Sequence, residues 1–187
     1  CGFSFDDGIG VFSAFLLLIN TVVGIVFVLK FLAQVKTLAL AVENIDKIFE
    51  TKQFAAAILP TGAGKSFVAL AEMLKFKDKK IMYIAPNDEI LNQIEAYIIK
   101  YIYGDFVNTK EKDYKKAIKE IFPNLELRTY TSLSTPKGQD LIKEKYDLIV
   151  LDELHRTGAN EWEANLNTLM SNQDDSTKVL GLTATPQ

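Results

Sequence analysis

The chain has 187 residues, of which 48% are hydrophobic and 24% are charged, a composition typical of one folded globular core. Its net charge of −3 and pI of about 5.3 exclude a general electrostatic attraction to nucleic acid, so any such contact requires a local surface. Cys1 is the single cysteine, which excludes an internal disulfide and a cysteine-based metal cluster and fits a reducing compartment.

The N-terminal part of the chain is strongly apolar. Residues 9–29 contain no charged side chain, and a helix of this length is roughly 30 Å long, enough to cross a bilayer core. Lys30 and Lys36 follow this stretch and predict that its C-terminal side faces the cytoplasm. We therefore predict an apolar helix over residues 1–41 with a candidate membrane span at 9–29. The alternatives are a buried helix or a stretch foreign to the domain.

A change of pattern follows the apolar stretch. Apolar residues three and four apart between Leu32 and Phe49 predict an amphipathic helix. The apolar run Phe54 to Ile58 predicts a buried parallel strand, and the composition of Phe67 to Leu74 predicts a helix. Between strand and helix the chain reads LPTGAGKS.

This glycine-bearing loop has the composition of a phosphate-binding site. Gly62 and Gly64 allow the backbone N–H groups to curl towards phosphates, at the positive end of the following helix. Lys65 is expected to reach the β- and γ-phosphates of ATP, and Ser66 to offer its hydroxyl to Mg²⁺. The strict pattern has a glycine where Leu59 stands, so an ordinary glycine-rich turn is the alternative. The predicted nucleotide-binding residues are Pro60, Thr61, Gly62, Ala63, Gly64, Lys65 and Ser66.

Strand and helix patterns alternate through the rest of the chain. This alternation predicts a P-loop α/β fold, a parallel sheet with helices on both faces, in a domain over residues 42–187. Further strands are predicted at 81–85, 125–130, 146–151 and 178–182, and further helices at about 87–103, within 105–120, and at 134–142 and 162–170.

Two carboxylates follow the most hydrophobic of these strands. The run Leu148 to Leu151 delivers Asp152 and Glu153 at its C-terminal end, the edge where ligands of open α/β sheets bind. Asp152 is placed to hold Mg²⁺, and Glu153 to polarise the water that attacks the γ-phosphate. Two acids after a strand can also simply open a solvated turn. The order of a strand–GKS–helix unit and a later strand–DE unit favours a P-loop ATPase.

The third stretch is a strand that ends in small hydroxyl residues before a proline. Thr183 and Thr185 can hydrogen-bond His155 and the carboxylate loop, although the stretch can also be a plain strand end. His155 is the only histidine, and no metal-ligand spacing surrounds it, so a zinc site is not expected.

Taken in order, LPTGAGKS, DELH and LTATP resemble motifs I, II and III of superfamily 2 DEAD/DEAH-box helicases. The segment DELHRTGANEW is similar to the group that includes the motor (Res) subunit of type III restriction enzymes. Ile84-Ala85-Pro86, with Leu91 and Gln93, resembles motif Ia. The resemblance covers residues 42–187 and corresponds to the first RecA-like domain, the helicase ATP-binding domain, which we expect to be C-terminally incomplete.

The resemblance implies hydrolysis of Mg-ATP coupled to movement on nucleic acid, DNA rather than RNA. The lysines after the apolar stretch predict that this ATPase domain lies in the cytoplasm. The resemblance implies that His155, Thr183 and Thr185 couple the two activities, and that Pro86, Asn87 and Gln93 contact nucleic acid. It also implies a restriction-modification partner subunit and a second RecA-like domain beyond Gln187. That domain would bring an arginine finger worth ~10³–10⁵ in rate, so this chain alone should bind nucleotide and turn it over poorly. A membrane-tethered nucleotide-binding module without motor activity and a DExH-type RNA helicase are the alternatives.

Overall fold

The computed structural model describes residues 5–60, 62–104, 111–153 and 160–184. Within these ranges, side chains are described except at residues 5–22, 111–113 and 160–161. Two compact units divide the chain, Cys1–Leu40 and Ala41–Gln187. The first unit is helical throughout its described residues, and the second contains all of the described strands.

Helices and strands alternate along the second unit. The described helices are α1 (Phe5–Thr51), α2 (Lys65–Lys75), α3 (Asp88–Tyr97), α4 (Glu111–Ile121), α5 (Pro136–Leu141) and α6 (Asn160–Ser171). A π-helical segment (Ile98–Tyr103) continues α3, and a 3₁₀ turn (Thr131–Ser134) precedes α5. The described strands are β1 (Phe54–Ile58), β2 (Ile81–Ala85), β3 (Leu125–Thr129), β4 (Leu148–Leu151) and β5 (Lys178–Thr183).

The described strands form one parallel sheet with the order β1-β5-β4-β2-β3. Parallel neighbours need a crossover connection, which the helices between successive strands provide. β2 and β4 lie inside the sheet and are buried along their whole length, as their continuous apolar runs predict. The predicted fold class is confirmed. Since parallel strands end at a common edge, the segments that follow β1, β2, β4 and β5 come together there.

One apolar cluster packs on a single face of this sheet. It joins the inward side chains of β2, β4 and β5 to those of α5 and α6, with Trp162 and Met170 packed against it. Met82 and Ile84 belong to the cluster, and because side chains alternate along a strand, Tyr83 between them points to the other face. Buried members of the cluster include Met82, Ile84, Tyr130, Leu133, Leu141, Ile142, Tyr146, Ile149, Leu151, Leu166, Leu169 and Val179.

Helix α1 differs from the prediction of two successive helices. It is continuous over Phe5–Thr51, because the sequence around residues 30–32 offers no proline to end the first helix. Between Val23 and Thr51, α1 is long and apolar enough to cross a membrane by length and composition alone. Within the second unit, its last turns bury Ile45 and Phe49. At this end of the helix, Ile45 and Phe49 therefore form a buried apolar face, as predicted.

The prediction that β1 is a buried strand is wrong for part of its length. Ala55 and Ala57 are buried, whereas Phe54 and Ile58 are 51% and 55% exposed. Burial alternates along this edge strand, because the described residues of the second unit cover only one of its faces. An apolar run therefore predicts a strand here but not its burial.

Candidate functional site

The loop between β1 and α2 has the backbone form of an anion-binding turn. Gly62 and Gly64 have φ values of +77° and +99°, in the left-handed region that glycine adopts without a steric penalty. The Ala63 N–H donates to the Pro60 carbonyl at 3.0 Å and closes the turn. Thr61 lies outside the described residues. The predicted glycines are thus required by the conformation of this loop.

The N-terminus of α2 is open to a ligand. Gly64 occupies the N-cap position, and no side chain caps the first turn of this helix. The leading N–H groups of an uncapped helix lack intrahelical partners and carry the positive end of the helix dipole. A phosphate group is a suitable partner for such N–H groups. Lys65 and Ser66 lie in this same first turn and are both half-buried.

Asp152 follows β4 directly and is nearly enclosed. Its backbone N–H donates to the carbonyl of Ile84 on the neighbouring strand β2 at 2.8 Å, and the residue is 5% exposed. The Glu153 N–H donates to Asp152 Oδ1 at 2.9 Å. Burial raises the pKa of the Asp152 carboxyl group, while hydrogen bonds from Tyr83 and the Glu153 N–H oppose that rise. These two hydrogen bonds therefore orient the carboxylate.

Glu153 joins the two predicted motifs. The Lys65 Nζ lies 3.0 Å from Glu153 Oε1, although the two residues are 88 positions apart in the sequence. Glu153 has a φ of +53°, which non-glycine residues adopt at a cost of about 1–3 kcal/mol and which clusters at functional sites. The structure therefore brings together Lys65, Asp152 and Glu153, as the motif order predicts.

Two tyrosines that the sequence analysis did not select complete this arrangement. The Tyr83 hydroxyl donates to Asp152 Oδ2 at 2.6 Å, and the Tyr130 hydroxyl donates to the Asp152 carbonyl at 2.9 Å. Burial and then the nearby Asp152 carboxylate raise the pKa of both tyrosines, so both hydroxyls remain protonated donors at neutral pH. Tyr83 could have been selected from the sequence, since a tyrosine in a predicted buried strand needs a hydrogen-bond partner for its hydroxyl.

The oxygen donors near Lys65 suit magnesium. Mg²⁺ prefers oxygen ligands and is commonly held by one or two carboxylates together with substrate phosphates. The Asp152 carboxylate and the Ser66 hydroxyl match this donor chemistry. In the described part of the chain, no group of three or more His, Cys, Asp or Glu side chains could hold a metal alone. The Asp152 and Ser66 oxygens could contribute to a magnesium site together with the phosphate oxygens of a nucleotide.

The predicted coupling residues are only partly described. Thr183 ends β5, where its carbonyl accepts a hydrogen bond from the Leu59 N–H at 3.1 Å, next to the phosphate loop. Its hydroxyl donates to the Ala184 carbonyl at 3.1 Å. His155 and Thr185 lie outside the described residues.

The predicted nucleic-acid contacts lie after β2. Pro86 is half-buried, and Asn87 caps α3 by accepting a hydrogen bond from the Ile90 N–H at 3.0 Å. The Gln93 amide donates to the Tyr97 hydroxyl at 2.8 Å. Asn87 and Gln93 are exposed and lie on α3 or at its cap, so the structure leaves both accessible from solvent.

A separate cavity of about 420 Å³ lies between α3, α4 and β3. None of the predicted site residues is among those that line it. Its wall mixes cations and anions, which gives it no clear preference for a charged ligand. The charged lining residues are Asp88, Glu95, Lys115, Lys119, Glu126, Arg128 and Lys137. The chemistry predicted from the motifs therefore lies elsewhere, at the edge where Lys65 meets Glu153.

Comparison with known proteins identifies curated relatives of part of the chain. It is 29% identical over 145 residues to the ATP-dependent DNA helicase mph1 of Sclerotinia sclerotiorum, covering 68% of this chain and 11% of that protein. It is 32% identical over 139 residues to the ATP-dependent DNA helicase MPH1 of Candida glabrata, covering 68% and 13%. The chain thus spans only about an eighth of the length of these relatives.

Two solved structures share the fold. The helicase domain of Hef from Pyrococcus furiosus superposes with a TM-score of 0.52 at 23% identity, covering 77% of this chain and 33% of that one. A nuclease-deletion mutant of the type ISP restriction-modification enzyme LlaGI, in complex with a DNA substrate mimic, gives a TM-score of 0.54 at 20% identity. That match covers 81% of this chain and 17% of that one.

A family model matches residues 31–187, and its description is "Type III restriction enzyme, res subunit". The match takes in the described phosphate loop, Asp152 and Glu153, and the end of β5. Because it covers well over half of the sequence, the protein belongs to the type III restriction enzyme Res subunit family.

Proposed function

We propose that residues 42–187 form the first RecA-like ATPase domain of a DNA helicase or translocase of the restriction-subunit type. The observation that carries this proposal is the 3.0 Å contact between Lys65 Nζ and Glu153 Oε1. It pairs the lysine of a phosphate loop with a carboxylate from the strand–DE motif at one edge of a parallel sheet. Family membership and the two DNA helicases among the relatives support the same function.

The proposed chemistry assigns one task to each residue. The backbone from Pro60 to Ser66 binds the phosphates, and Lys65 leaves Glu153 to pair with the β- and γ-phosphates. Ser66 and Asp152 would hold Mg²⁺, which offsets negative charge on the phosphates when it is bound. Glu153, once released by Lys65, can then accept a proton from the attacking water. ATP and Mg²⁺ are therefore the proposed substrate and cofactor.

Further roles follow from the family resemblance. His155, Thr183 and Thr185 are the proposed coupling residues between the nucleotide site and nucleic acid. The proposed nucleic-acid contacts are Pro86, which precedes α3, Asn87 at its N-cap, and Gln93 on the helix. A second RecA-like domain and a restriction-modification subunit are the proposed partners of the complete protein.

Binding of labelled nucleic acids to the 187-residue chain tests the function as a whole. Fluorescence anisotropy should show binding to duplex DNA that weakens as salt rises and that changes several-fold when Mg-ATP is added. Gln93→Glu should weaken DNA binding, because it would place a negative charge next to the DNA phosphates. Asn167→Asp, at an exposed position of α6, is the control and should leave DNA binding unchanged. Tighter binding to RNA than to DNA would favour an RNA helicase. Nucleotide binding without any nucleic-acid binding would contradict the motor proposal.

Membrane attachment through residues 9–29 is a separate proposal, with the ATPase domain in the cytoplasm. The uncharged sequence of this stretch and the apolar character of α1 from Val23 onward support it. The family match begins at residue 31, so the proposed anchor lies outside the matched part. In cells that express the chain, an anchored protein should remain with membranes after alkaline extraction. Release into the soluble fraction would contradict anchoring and would leave the ATPase proposal intact.

A further inference from the structure

Tyr83 reaches Asp152 because of the register of the sheet. Tyr83 on β2 pairs with Val150 on β4, and side chains two positions apart on a strand point to the same face. Asp152 is two residues beyond Val150, so its carboxylate lies diagonally ahead of the Tyr83 ring on that face. The ring is fully buried, and the hydroxyl meets Asp152 Oδ2 at 2.6 Å. This distance is typical of a strong hydrogen bond to a charged acceptor.

The two oxygens of Asp152 are held by different donors. Oδ2 accepts from the Tyr83 hydroxyl and Oδ1 accepts from the Glu153 N–H, so rotation of the carboxylate would break at least one of these bonds. A carboxylate has about four lone-pair sites, and these two bonds leave capacity on both oxygens.

The backbone of Asp152 is held from the opposite face of the sheet. Tyr130 belongs to the apolar cluster and donates its hydroxyl to the Asp152 carbonyl at 2.9 Å. The Tyr130 ring stacks on Trp162 of α6, with ring centroids 5.2 Å apart. Tyr130 therefore restrains the main chain, and Tyr83 alone of the two restrains the side chain.

We propose that Tyr83 is a positioning residue for magnesium-linked nucleotide binding, since its hydroxyl holds the Asp152 carboxylate in one orientation. The inference rests on the proposed function, in which Asp152 would hold Mg²⁺. With the carboxylate already oriented, Mg²⁺ increases nucleotide affinity without first ordering this side chain. Hydrogen-bond partners of metal ligands commonly contribute 10–100-fold to metal affinity.

A purely structural role for Tyr83 would have a different signature. Loss of its hydroxyl would then lower the stability of the fold and leave the effect of Mg²⁺ on nucleotide binding unchanged. Tyr146 offers a matched control, because it is also buried and donates its hydroxyl to the Leu141 carbonyl at 3.0 Å, in α5. Tyr146→Phe therefore removes a similar hydrogen bond without a contact to Asp152.

The experiment measures ADP affinity of the 187-residue chain by calorimetry, once in EDTA and once in saturating Mg²⁺. The magnesium linkage is the dissociation constant in EDTA divided by the dissociation constant in Mg²⁺. Tyr83→Phe should lower this ratio about tenfold and leave the affinity in EDTA within about twofold of wild type. Tyr146→Phe should leave the ratio unchanged. Thermal unfolding confirms that each variant folds, and Tyr83→Met, which also removes the donor, replaces Tyr83→Phe if the latter does not fold.

The outcomes separate the inference from the proposed function. A wild-type chain that binds no ADP would overturn the proposed function. Wild-type binding with a magnesium linkage that Tyr83→Phe leaves unchanged, or increases, would overturn the role of Tyr83 alone. An equal loss of linkage in Tyr146→Phe would also overturn it, because the effect would then reflect weaker packing rather than the orientation of Asp152.

Discussion

Replacement of Glu153 by glutamine should tighten nucleotide binding. In the structure Glu153 pairs with Lys65, the residue that the account assigns to the β- and γ-phosphates. A phosphate must therefore compete with the Glu153 carboxylate for the same ammonium group. Glutamine keeps the size of the side chain and removes its charge, so Lys65 becomes free to bind phosphate. The same change should stop ATP turnover in the complete protein, because an amide cannot accept the proton of the attacking water.

The magnitude follows from the geometry of the ion pair. Two unit charges 3.0 Å apart attract each other by about 1.4 kcal/mol in water and about 5.5 kcal/mol at an effective dielectric constant of about 20. The two side chains are 11% and 20% exposed, which places the pair between these limits. We take the lower value, about 1.4 kcal/mol, as the attraction that Glu153→Gln removes, because the glutamine oxygen can still accept a hydrogen bond from Lys65. A gain of about 1.4 kcal/mol corresponds to an affinity about tenfold higher.

Calorimetric titration of the chain with ADP in EDTA measures this effect without hydrolysis and without metal. Glu144→Gln is the matched control, since Glu144 pairs with Lys80 at the surface, and both residues precede their strands β4 and β2, at the edge of the sheet opposite to Glu153. The control should bind ADP as wild type does. If Glu153→Gln binds ADP with unchanged or lower affinity, competition between Glu153 and phosphate for Lys65 is refuted.

Three further predictions concern the stability of the fold. Gly62→Ala should lower the free energy of unfolding by about 1–2 kcal/mol, because a residue with a side chain is strained at the φ of +77°. A steric clash adds nothing to this cost, since a Cβ would meet no atom within 4 Å. An unchanged free energy in urea unfolding would contradict the predicted strain. Gly138→Ala should cost more, because its Cβ would lie 2.3 Å from the Ser132 carbonyl oxygen, and equal costs would contradict this ranking. The pKa of Asp174 is lowered to about 2 by hydrogen bonds from Lys145 and Ser176. Because this pKa is lower in the folded state, the ionised Asp174 carboxylate stabilises the fold at pH values above the ordinary pKa of 3.8. This contribution to stability is lost as the pH falls towards about 2. Asp174→Asn should therefore flatten the fall of the unfolding midpoint over that pH range, and an unaltered profile would argue against it.

Local signals predicted most of the fold. The apolar runs of β2 and β4 are long enough to specify buried strands, and the turn between β1 and α2 was predicted by glycines at positions where the backbone has a positive φ. The strand order was not predictable from these signals. Nor do these signals report which faces of a strand other elements cover, and the prediction of a buried β1 was wrong at Phe54 and Ile58, which lie on its uncovered face.

The residues of the candidate site could be selected from their motifs, but the contacts between them could not be predicted. Lys65, Asp152 and Glu153 could be selected because each belongs to a short local pattern with a known chemical purpose. Their hydrogen-bond partners Tyr83 and Tyr130 belong to no such pattern, and they reach Asp152 only through the register of β2 with β4 and the packing of Trp162. Such contacts depend on residues far apart in the sequence, which periodicity and spacing do not report.

The central claim is that the loop from Pro60 to Ser66 binds nucleotide phosphates through Lys65. Calorimetric titration of the 187-residue chain with Mg-ADP tests it most directly, with Lys65→Ala as the variant and the exposed Lys77→Ala as the control. We expect saturable binding by wild type and by Lys77→Ala, and none by Lys65→Ala, because that change removes the charge that would face the phosphates. Equal affinity in Lys65→Ala and wild type would contradict it.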